Sequence, residues 1–378
     1  MKKLRIAVNT RLLVPNKLEG IGRFSLETLK RLVLMHPEVD FVFYFDRPVP
    51  EEFIFAENVI GKRLFPPARR TFLFDWWFNR SVAKQLKKDQ VDLFLSPDGF
   101  ASMRSDVKQL LVIHDLNFEH FPELLPPKIA RYYQDRFPKF ARKATRIATV
   151  SNFSKADIHR CYNIDLDQID VVYNGVDNIF SPKSPEEIEA IRAEYAMGEA
   201  YFIYVGSINP RKNIVRLLQA FEAYKVQGGS AKMILVGATM WSSGQEAQTL
   251  SQMTFAKDLI QLGRMSHEDM SRCLSGALAM TFVPLFEGFG IPAIESFASG
   301  VPLICANNSS LPEVVGDAAL LVDAENVEQI TAAMIRIEKE ADFRSELIEK
   351  GLQRALRFSW DESAKDLWKS IEKTMNHA

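Results

Sequence analysis

The sequence predicts an α/β protein built from two successive, doubly wound domains. Short apolar runs alternate with amphipathic stretches along the chain, which is the pattern of βα units around a parallel sheet. The alternation stops in a polar, charged stretch between Phe180 and Ala200 and then starts again. At 378 residues, the chain is also long for one hydrophobic core. We therefore expect a first domain in residues 1–178, a linker in the polar stretch, and a second domain beyond it.

Each apolar run predicts one strand of a buried parallel sheet. In the first half the predicted strands are Leu4–Val8, Phe41–Tyr44, Val91–Leu95, Gln109–Ile113, Arg146–Val150 and Ile169–Val172. In the second half they are Tyr201–Val205, Met233–Val236, Leu259–Leu262, Ala279–Val283, Leu303–Cys305 and Ala319–Val322. The final stretch, Trp360–Lys373, predicts an amphipathic helix. Ligands of such sheets bind beyond the carboxyl ends of the strands, so residues directly after a strand are the first candidates for a site.

Composition excludes several classes of protein. The net charge is −1, so no global field favours nucleic acid as a partner. The three cysteines, Cys161, Cys273 and Cys305, lie far apart without a CxxC pair, which favours reduced thiols in the cytoplasm over disulfides or zinc. The first apolar run is cut short by Asn9 and Arg11, so it predicts a buried strand rather than a signal peptide. We expect a cytoplasmic protein without a membrane span.

The run from Glu287 to Glu295 is the most informative segment. Pro292 suits the first turn of a helix, where its missing N–H would have no partner. Gly288 and Gly290 allow the backbone to approach a ligand closely, and the start of a helix presents free N–H groups to it. The two carboxylates are expected at the mouth of the loop and in the first helical turn. This combination predicts a ligand that has both phosphates and sugar hydroxyls, which is a nucleotide sugar.

Two acids with seven residues between them resemble the signature of family 4 retaining glycosyltransferases with the GT-B fold. The segment Tyr204–Asn213 is similar to the pyrophosphate-binding segment of that family. Three shorter matches follow the family's order along the chain: Val112–Asp115, Val150–Lys155 and Tyr173–Asp177. The resemblance, which is to bacterial mannosyltransferases of surface polysaccharide synthesis in particular, implies two Rossmann-like domains facing each other across a cleft. It also implies that the last helix returns to the first domain, so the expected domains are 1–178 with 358–378, and 179–357.

The resemblance implies a role for each candidate residue. Arg211 and Lys212 would stabilise the departing diphosphate; the alternative is an exposed basic turn, although a helix dipole does not favour cations at its start. Glu287 and His114 would position the transferred sugar, and Glu295 would accept hydrogen bonds from the ribose. Further donor contacts are expected from Gly22, Gly206, Arg264, Met265, Gly288, Phe289, Gly290 and Ile291. An Ile separates Gly20 from Gly22 where the family often has adjacent glycines.

Other residues fit a structural role as well as a functional one. Ser151 and Asn174 match family segments, but they would serve equally well at a strand end and in a turn. His114 could be a buried core histidine. Asp165 and Asp167 form the one Asp-x-Asp of the type that holds metal in glycosyltransferases of another fold, but they stand in a polar turn. We therefore predict no metal and no cofactor.

Two segments combine basic and aromatic residues. Residues 62–80 contain five basic and six aromatic residues, and residues 128–146 contain seven basic residues with Asp135 as the only acid. Such segments could hold an anionic membrane surface or a lipid diphosphate acceptor, giving peripheral membrane contact. The alternative is a pair of amphipathic helices with their aromatics packed inside and their cations in water.

These observations favour a metal-independent glycosyltransferase. The first expectation is transfer of mannose from GDP-mannose to a glycan or lipid-linked hydroxyl acceptor with retention of configuration, and a UDP-glucose-type donor is the alternative. A glycoside hydrolase would also use two carboxylates, but it has no need of the Arg211-Lys212 segment. A non-catalytic glycan- or nucleotide-binding GT-B module and a nucleotide-sugar epimerase would share the same two-domain architecture.

Overall fold

The computed structural model describes residues 3–18, 20–68, 71–237 and 245–377. The chain divides into two compact units, Met1–Asn174 with Trp360–Ala378, and Gly175–Ser359. The chain thus leaves the first unit after Asn174 rather than after residue 178, and it returns to that unit at Trp360 rather than at residue 358. Within the parts of the chain that are described, no helix has the length and apolar character needed to cross a membrane.

The prediction of a linker in the polar stretch is wrong in part, because this stretch forms a helix of the second unit. This helix, α7 (Pro185–Ala196), begins with a reciprocal capping box in which Ser184 and Glu187 satisfy each other's backbone N–H groups. Pro185 occupies the first helical position, where it costs no hydrogen bond. The same polar residues that suggest a linker therefore start a helix.

The first unit contains a seven-stranded, entirely parallel sheet in the order β3-β2-β1-β4-β5-β6-β7. Its strands are β1 (Arg5–Asn9), β2 (Asp40–Phe45), β3 (Val59–Arg63), β4 (Leu93–Ser96), β5 (Lys108–Val112), β6 (Arg146–Thr149) and β7 (Ile169–Val171). Six of these confirm the predicted strands. β3 is not among the predicted strands, because Gly61 interrupts its apolar pattern; a β-carbon there would lie 2.4 Å from Val49 Cγ1.

Helices of the first unit connect these strands. They are α1 (Gly20–Met35), α2 (Thr71–Trp76), α3 (Ala83–Asp89), α4 (Asn117–His120), α5 (Pro127–Lys143), α6 (Asn152–Tyr162) and the final helix α15 (Trp360–Asn376), with a π-helical turn (Trp77–Val82) joining α2 to α3. α15 confirms the predicted amphipathic helix. It buries Leu367 and Ile371, and Asp361 accepts a 2.5 Å hydrogen bond from Arg31 of α1.

The second unit contains a six-stranded parallel sheet in the order β10-β9-β8-β11-β12-β13. Its strands are β8 (Tyr201–Val205), β9 (Lys232–Val236), β10 (Leu259–Gly263), β11 (Ala279–Phe282), β12 (Leu303–Ala306) and β13 (Leu320–Val322), and all six confirm the predicted ones. The helices that follow α7 are α8 (Ile214–Val226), α9 (Gln245–Gln252), α10 (His267–Ser275), α11 (Ile291–Ala298), α12 (Leu311–Val315), α13 (Val327–Lys339) and α14 (Ala341–Ala355). Every residue of β8 and β9 is buried, so the core covers both faces of this sheet.

Each sheet has one point at which the chain reverses the direction of winding. In the first unit this switch point lies between β1 and β4, and in the second unit it lies between β8 and β11. The loops that leave the carboxyl ends of two such strands diverge to opposite faces of the sheet, so a crevice opens between them. The two switch points therefore mark where each unit can hold a ligand.

Candidate functional site

The loop after β8 is held in place by a buried asparagine. Asn213 has a left-handed backbone (φ 61°), and its side-chain amide donates to the carbonyls of Val283 (2.9 Å) and Ala324 (2.6 Å). These bonds tie the loop to the segments that follow β11 and β13. Arg211 and Lys212 lie in the single 3-10 turn just before Asn213, so they precede α8 rather than start it.

The loop after β11 depends on glycine. Gly290 has φ 96°, and a β-carbon on it would lie 2.6 Å from Leu311 Cδ2. The left-handed residue sets the start of α11 at Ile291, and Pro292 takes a position in the first turn as predicted. Glu295 is consequently the fifth helical residue and lies just beyond the first turn in which the sequence predicts it. It is buried, at 9% exposure. A carboxylate that is favoured only by the helix dipole would lie at an exposed helix start, so the dipole does not account for this position.

The two loops meet in a partly buried ion cluster at the switch point of the second unit. The Lys212 ammonium contacts Glu287 Oε1, and Arg211 Nη1 lies 3.2 Å from the same oxygen. Arg211 Nη1 also donates to the carbonyl of Phe286 at 2.5 Å. The backbone of Glu287 is fixed as well, because its N–H donates to Ser309 Oγ (3.0 Å) and its carbonyl accepts from Ser310 Oγ (2.9 Å).

The cluster keeps Glu287 ionised although the residue is only 8% exposed. Burial by itself would raise the pKa of Glu287, but the charges of Lys212 and Arg211 outweigh it and hold that pKa below the usual range. One carboxylate thus faces two cations, so the three groups together carry a positive charge. Such an arrangement is suited to an anion, and a diphosphate is the anion that matches two adjacent cations.

Glycines line the neighbouring strand ends of the same sheet. Gly206 follows β8, and its N–H donates to Val236 O at 3.0 Å. Gly237 follows β9; a β-carbon there would lie 1.9 Å from the carbonyl oxygen of Gly206. Gly237 is not among the predicted site residues, although a glycine directly after a strand is a usable signal. Arg264 is exposed and Met265 is half-buried just after β10, on the same edge.

Phe289 occupies the interior of the β11–α11 loop. It is 3% exposed, and its ring packs edge-on against Phe358 with centroids 5.5 Å apart. Gly288 precedes Phe289 in the chain, and Gly290 and Ile291 follow it. The packed ring anchors the loop, so a ligand at this segment would meet its backbone rather than this ring.

In the first unit, the structure places His114 two residues beyond β5. Its Nε2 lies 2.8 Å from the carbonyl of Pro97, which can only accept, so Nε2 carries the proton and Nδ1 is an acceptor. Its ring stands edge-on to Phe24 of α1, with centroids 5.0 Å apart. Burial lowers the pKa of His114 in spite of the Pro97 carbonyl and two nearby carboxylates, so the imidazole is neutral near pH 7.

Gly22 belongs to the same helix that carries Phe24. It is the third residue of α1, and it is buried. A β-carbon on it would lie 3.0 Å from Leu12 O and 3.3 Å from Leu18 Cδ2. The residue therefore lets the β1–α1 loop lie close against the helix.

The switch point of the first unit holds a polar network that sequence reasoning missed. Asp98, which follows β4, accepts hydrogen bonds from Asn9 Nδ2 (2.8 Å) and Arg11 Nε (2.5 Å). Asn9 is the last residue of β1, and Arg11 follows that strand. The Arg11 guanidinium also lies over the rings of Phe74 (4.7 Å) and Phe100 (4.5 Å). A polar residue directly after each strand is the signal that could have found this network.

The structure also places the residues for which the sequence allows two roles, and it shows a structural contact for Ser151. Ser151 caps α6 by accepting a hydrogen bond from the backbone N–H of Ser154 at 3.0 Å. Asn174 is buried and is the last residue of the segment Met1–Asn174 of the first unit. Asp165 and Asp167 are exposed around a short turn before β7.

One group of side chains in the described ranges has the composition of a metal site. His120, Asp157 and Cys161 have candidate ligand atoms within 4.8 Å of one another. The buried Asp157 carboxylate already contacts His120 Nε2 at 2.8 Å and Arg160 Nη2 at 2.5 Å. A guanidinium on the central carboxylate opposes a metal cation, and the contact between His120 and Asp157 joins α4 to α6.

Comparisons with known proteins agree with this geometry. Residues 18–178 match the family described as Glycosyltransferase Family 4, and residues 187–354 match the family described as Glycosyl transferases group 1. O-antigen chain mannosyltransferase B of Escherichia coli is 28% identical over 356 residues, covering 91% of this chain and 93% of that protein.

A longer relative and a solved structure are also similar. The serotype-specific mannosyltransferase WbdA of Escherichia coli is 26% identical over 277 residues, which is 68% of this chain but only 32% of WbdA. The crystal structure of a glycosyltransferase from Rickettsia africae aligns over the whole of both chains, with a TM-score of 0.75 at 16% identity.

Proposed function

The chain is a glycosyltransferase with the GT-B fold, built from a family 4 and a group 1 domain, and we propose that it transfers mannose from GDP-mannose to a hydroxyl of a glycan or lipid-linked acceptor. The observation that carries the proposal is the partly buried Arg211–Lys212–Glu287 cluster at the switch point of the second unit. Mannose is the first expectation because mannosyltransferases of O-antigen synthesis are related over most of the chain. A UDP-glucose-type donor is the alternative.

In the proposed reaction, the bond between the anomeric carbon and the diphosphate oxygen breaks while a bond to the acceptor oxygen forms on the same face. Because the new bond forms on the same face, configuration is retained. The acceptor proton passes to the departing diphosphate, so no dedicated base is needed. Lys212 and Arg211 stabilise the charge that develops on the diphosphate. These two cations lie side by side against Glu287, and once the diphosphate has replaced that carboxylate as their partner they are in place when the charge appears.

The other predicted residues receive roles within the same proposal. Glu287 accepts hydrogen bonds from the transferred sugar, and His114 presents Nδ1 to a sugar hydroxyl while Pro97 fixes its tautomer. Glu295 accepts from the ribose hydroxyls. Backbone groups supply the remaining donor contacts, at Gly22, Gly206, Arg264, Met265 and Gly288 to Ile291.

Different functions would make different demands on these residues. A glycoside hydrolase needs two carboxylates beside one sugar but has no need of the Arg211–Lys212 pair that contacts Glu287. A non-catalytic module would keep nucleotide binding without turnover, and an epimerase would convert the donor without an acceptor. We propose a cytoplasmic location with contact to the membrane periphery, because the expected acceptors include lipid-linked ones.

The experiment that tests the proposal is donor binding followed by transfer. Thermal unfolding would be recorded with GDP, UDP, GDP-mannose and UDP-glucose in the presence of EDTA, because a ligand of the folded state raises the melting temperature by mass action. We expect selective stabilisation by GDP and GDP-mannose. Stabilisation by UDP and UDP-glucose alone would mean that the donor is a UDP-sugar. If the folded protein responds to none of the four ligands, the proposed donor site is refuted. Release of GDP only when an acceptor glycan is added would separate transfer from epimerisation and from binding alone.

A further inference from the structure

The helical segment after β3 exposes large aromatic side chains. Trp77 and Phe78 are buried, as an ordinary amphipathic helix would have them. Phe72 and Trp76, however, are 65% and 48% exposed, and Phe65, just ahead of the helix, is 75% exposed. A helix with its aromatics packed inside therefore accounts for only some of the aromatic residues in this segment.

The exposed positions form one stripe along a continuous helical segment. α2, the π-helical turn and α3 follow one another without a break from Thr71 to Asp89. Exposed residues recur at every fourth position, as Phe72, Trp76, Arg80, Lys84 and Lys88. Residues four apart lie on the same side of a helix. The stripe thus has an aromatic beginning and a basic end, and the Arg80 guanidinium joins them by lying 4.1 Å over the Trp76 ring.

Positive charge is concentrated in the same segment. Residues 62–89 contain eight basic residues and two acids, although the whole chain has a net charge of −1; one of the acids, Asp89, is buried and accepts a hydrogen bond from Lys62 at 2.5 Å. Asp75 accepts hydrogen bonds from Arg136 (2.6 Å) and Tyr132 (3.1 Å), so it does not offset the exposed cations of the stripe. Arg69 and Arg70 add to the charge of the segment, but they lie outside the described residues.

The second basic and aromatic segment behaves differently. In α5, Phe137 and Phe140 are buried, and Tyr132 and Tyr133 are half-buried against the core of the first unit. Its exposed cations thus lack exposed aromatic neighbours. This segment matches the alternative of an ordinary amphipathic helix, and it provides an internal comparison for the stripe on α2 and α3.

We propose that Phe72, Trp76, Arg80, Lys84 and Lys88, which we call the aromatic–basic stripe, bind the surface of an anionic phospholipid bilayer. Aromatic rings are stable at the boundary between headgroups and acyl chains, and lysine and arginine are attracted to anionic headgroups. Two weak signals on one helix face give reversible attachment, which either signal alone would not sustain. The proposal rests on the proposed function in one respect, because attachment would hold the enzyme beside a lipid-linked acceptor.

The test is sedimentation of the full chain with vesicles of phosphatidylcholine alone or mixed with phosphatidylglycerol, without donor or acceptor. We expect binding to the anionic vesicles that weakens with salt. The double variant Lys84→Gln/Lys88→Gln should lower the partition coefficient about 30-fold, at roughly fivefold for each charge. The variant Phe72→Ser/Trp76→Ser should also bind the anionic vesicles less at low salt, because it keeps its charges but loses the aromatic contribution.

Matched controls are available elsewhere on the surface. Lys365→Gln/Lys369→Gln removes two exposed charges from α15, and Leu356→Ser removes an apolar side chain that is 78% exposed. These variants should bind anionic vesicles as the unaltered protein does, and circular dichroism should show all variants folded. The proposal would be overturned by equal binding to neutral vesicles or by an equal loss of binding in the control variants. It would also be overturned if the stripe prefers single-stranded nucleic acid or a second copy of the chain.

The vesicle experiment is independent of the transfer reaction. If transfer fails but vesicle binding depends on the stripe, the membrane proposal stands and the proposed function does not. If vesicle binding fails while the protein transfers hexose to a soluble acceptor, only the membrane proposal is refuted.

Discussion

Replacing Glu287 by glutamine tests whether the ion cluster is built for an anion. The substitution preserves shape but leaves Lys212 and Arg211 facing an uncharged amide in a site where all three side chains are about 10–21% exposed. Removing one partner of a buried ion pair typically costs about 3–5 kcal/mol, and the amide oxygen recovers part of it, so we expect a loss of about 2–4 kcal/mol. For a domain of this size the melting temperature should fall by roughly 5–15 °C.

The same variant should bind a nucleoside diphosphate more tightly than the unaltered protein. Glu287 is an anion beside the cations that would hold the diphosphate, and at an effective dielectric constant of about 20 a like charge roughly 5 Å away costs about 3 kcal/mol. We therefore expect a gain of about 10- to 100-fold in affinity for GDP by calorimetry, together with a sharp loss of transfer. Unchanged GDP affinity, or an unchanged melting temperature, would refute the idea that Glu287 competes for these cations.

A matched control and a pH profile sharpen this test. Glu325 pairs with Arg216 at 3.0 Å but is 69% exposed, so Glu325→Gln should change stability by less than about 1 kcal/mol. The folded-state pKa of Glu287 is lowered, so its contribution to stability is present above the usual value of 4.5 and disappears as the pH falls through the folded pKa. The unaltered protein should thus lose its advantage over Glu287→Gln below about pH 4.5.

Three further substitutions have distinct expected outcomes. Lys212→Ala should lower kcat/KM by about 10²–10³-fold while costing only about 1–3 kcal/mol of stability, and equal losses in both would make Lys212 structural. Gly290→Ala should destabilise more than Gly228→Ala in thermal unfolding, because both have positive φ but only Gly290 faces a 2.6 Å contact with Leu311. The lowered pKa of His114 means that its contribution is complete above about pH 6.5 and is lost as the pH falls toward its folded value. His114→Gln should therefore lose less stability than the unaltered protein between pH 7 and pH 5, and parallel curves would contradict this assignment.

The elements that could be predicted are those with a local signal. Buried parallel strands are continuous apolar runs, so twelve of the thirteen strands in the described ranges could be located from the sequence alone. The exception, β3, lies at the sheet edge and carries Gly61, whose role is to admit the side chain of Val49. The start of α7 resembles a linker because Ser184 and Pro185 are favoured both at helix starts and in loops. Only the reciprocal bond with Glu187 distinguishes the two.

The contacts within the candidate sites depend on strand order, which no local pattern reveals. Arg11 and Asp98 are 87 residues apart, and Lys212 and Glu287 are 75 apart. Each pair meets because β1 adjoins β4 and β8 adjoins β11, which are the switch points of the two sheets. The sequence motifs predict Lys212 and Glu287 as separate donor contacts, but not that the carboxylate already occupies the cations. Because Glu287 already pairs with Lys212 and Arg211, binding of the proposed donor would exchange one anion for another, and the affinity for the diphosphate would be set by that difference rather than by the cations alone.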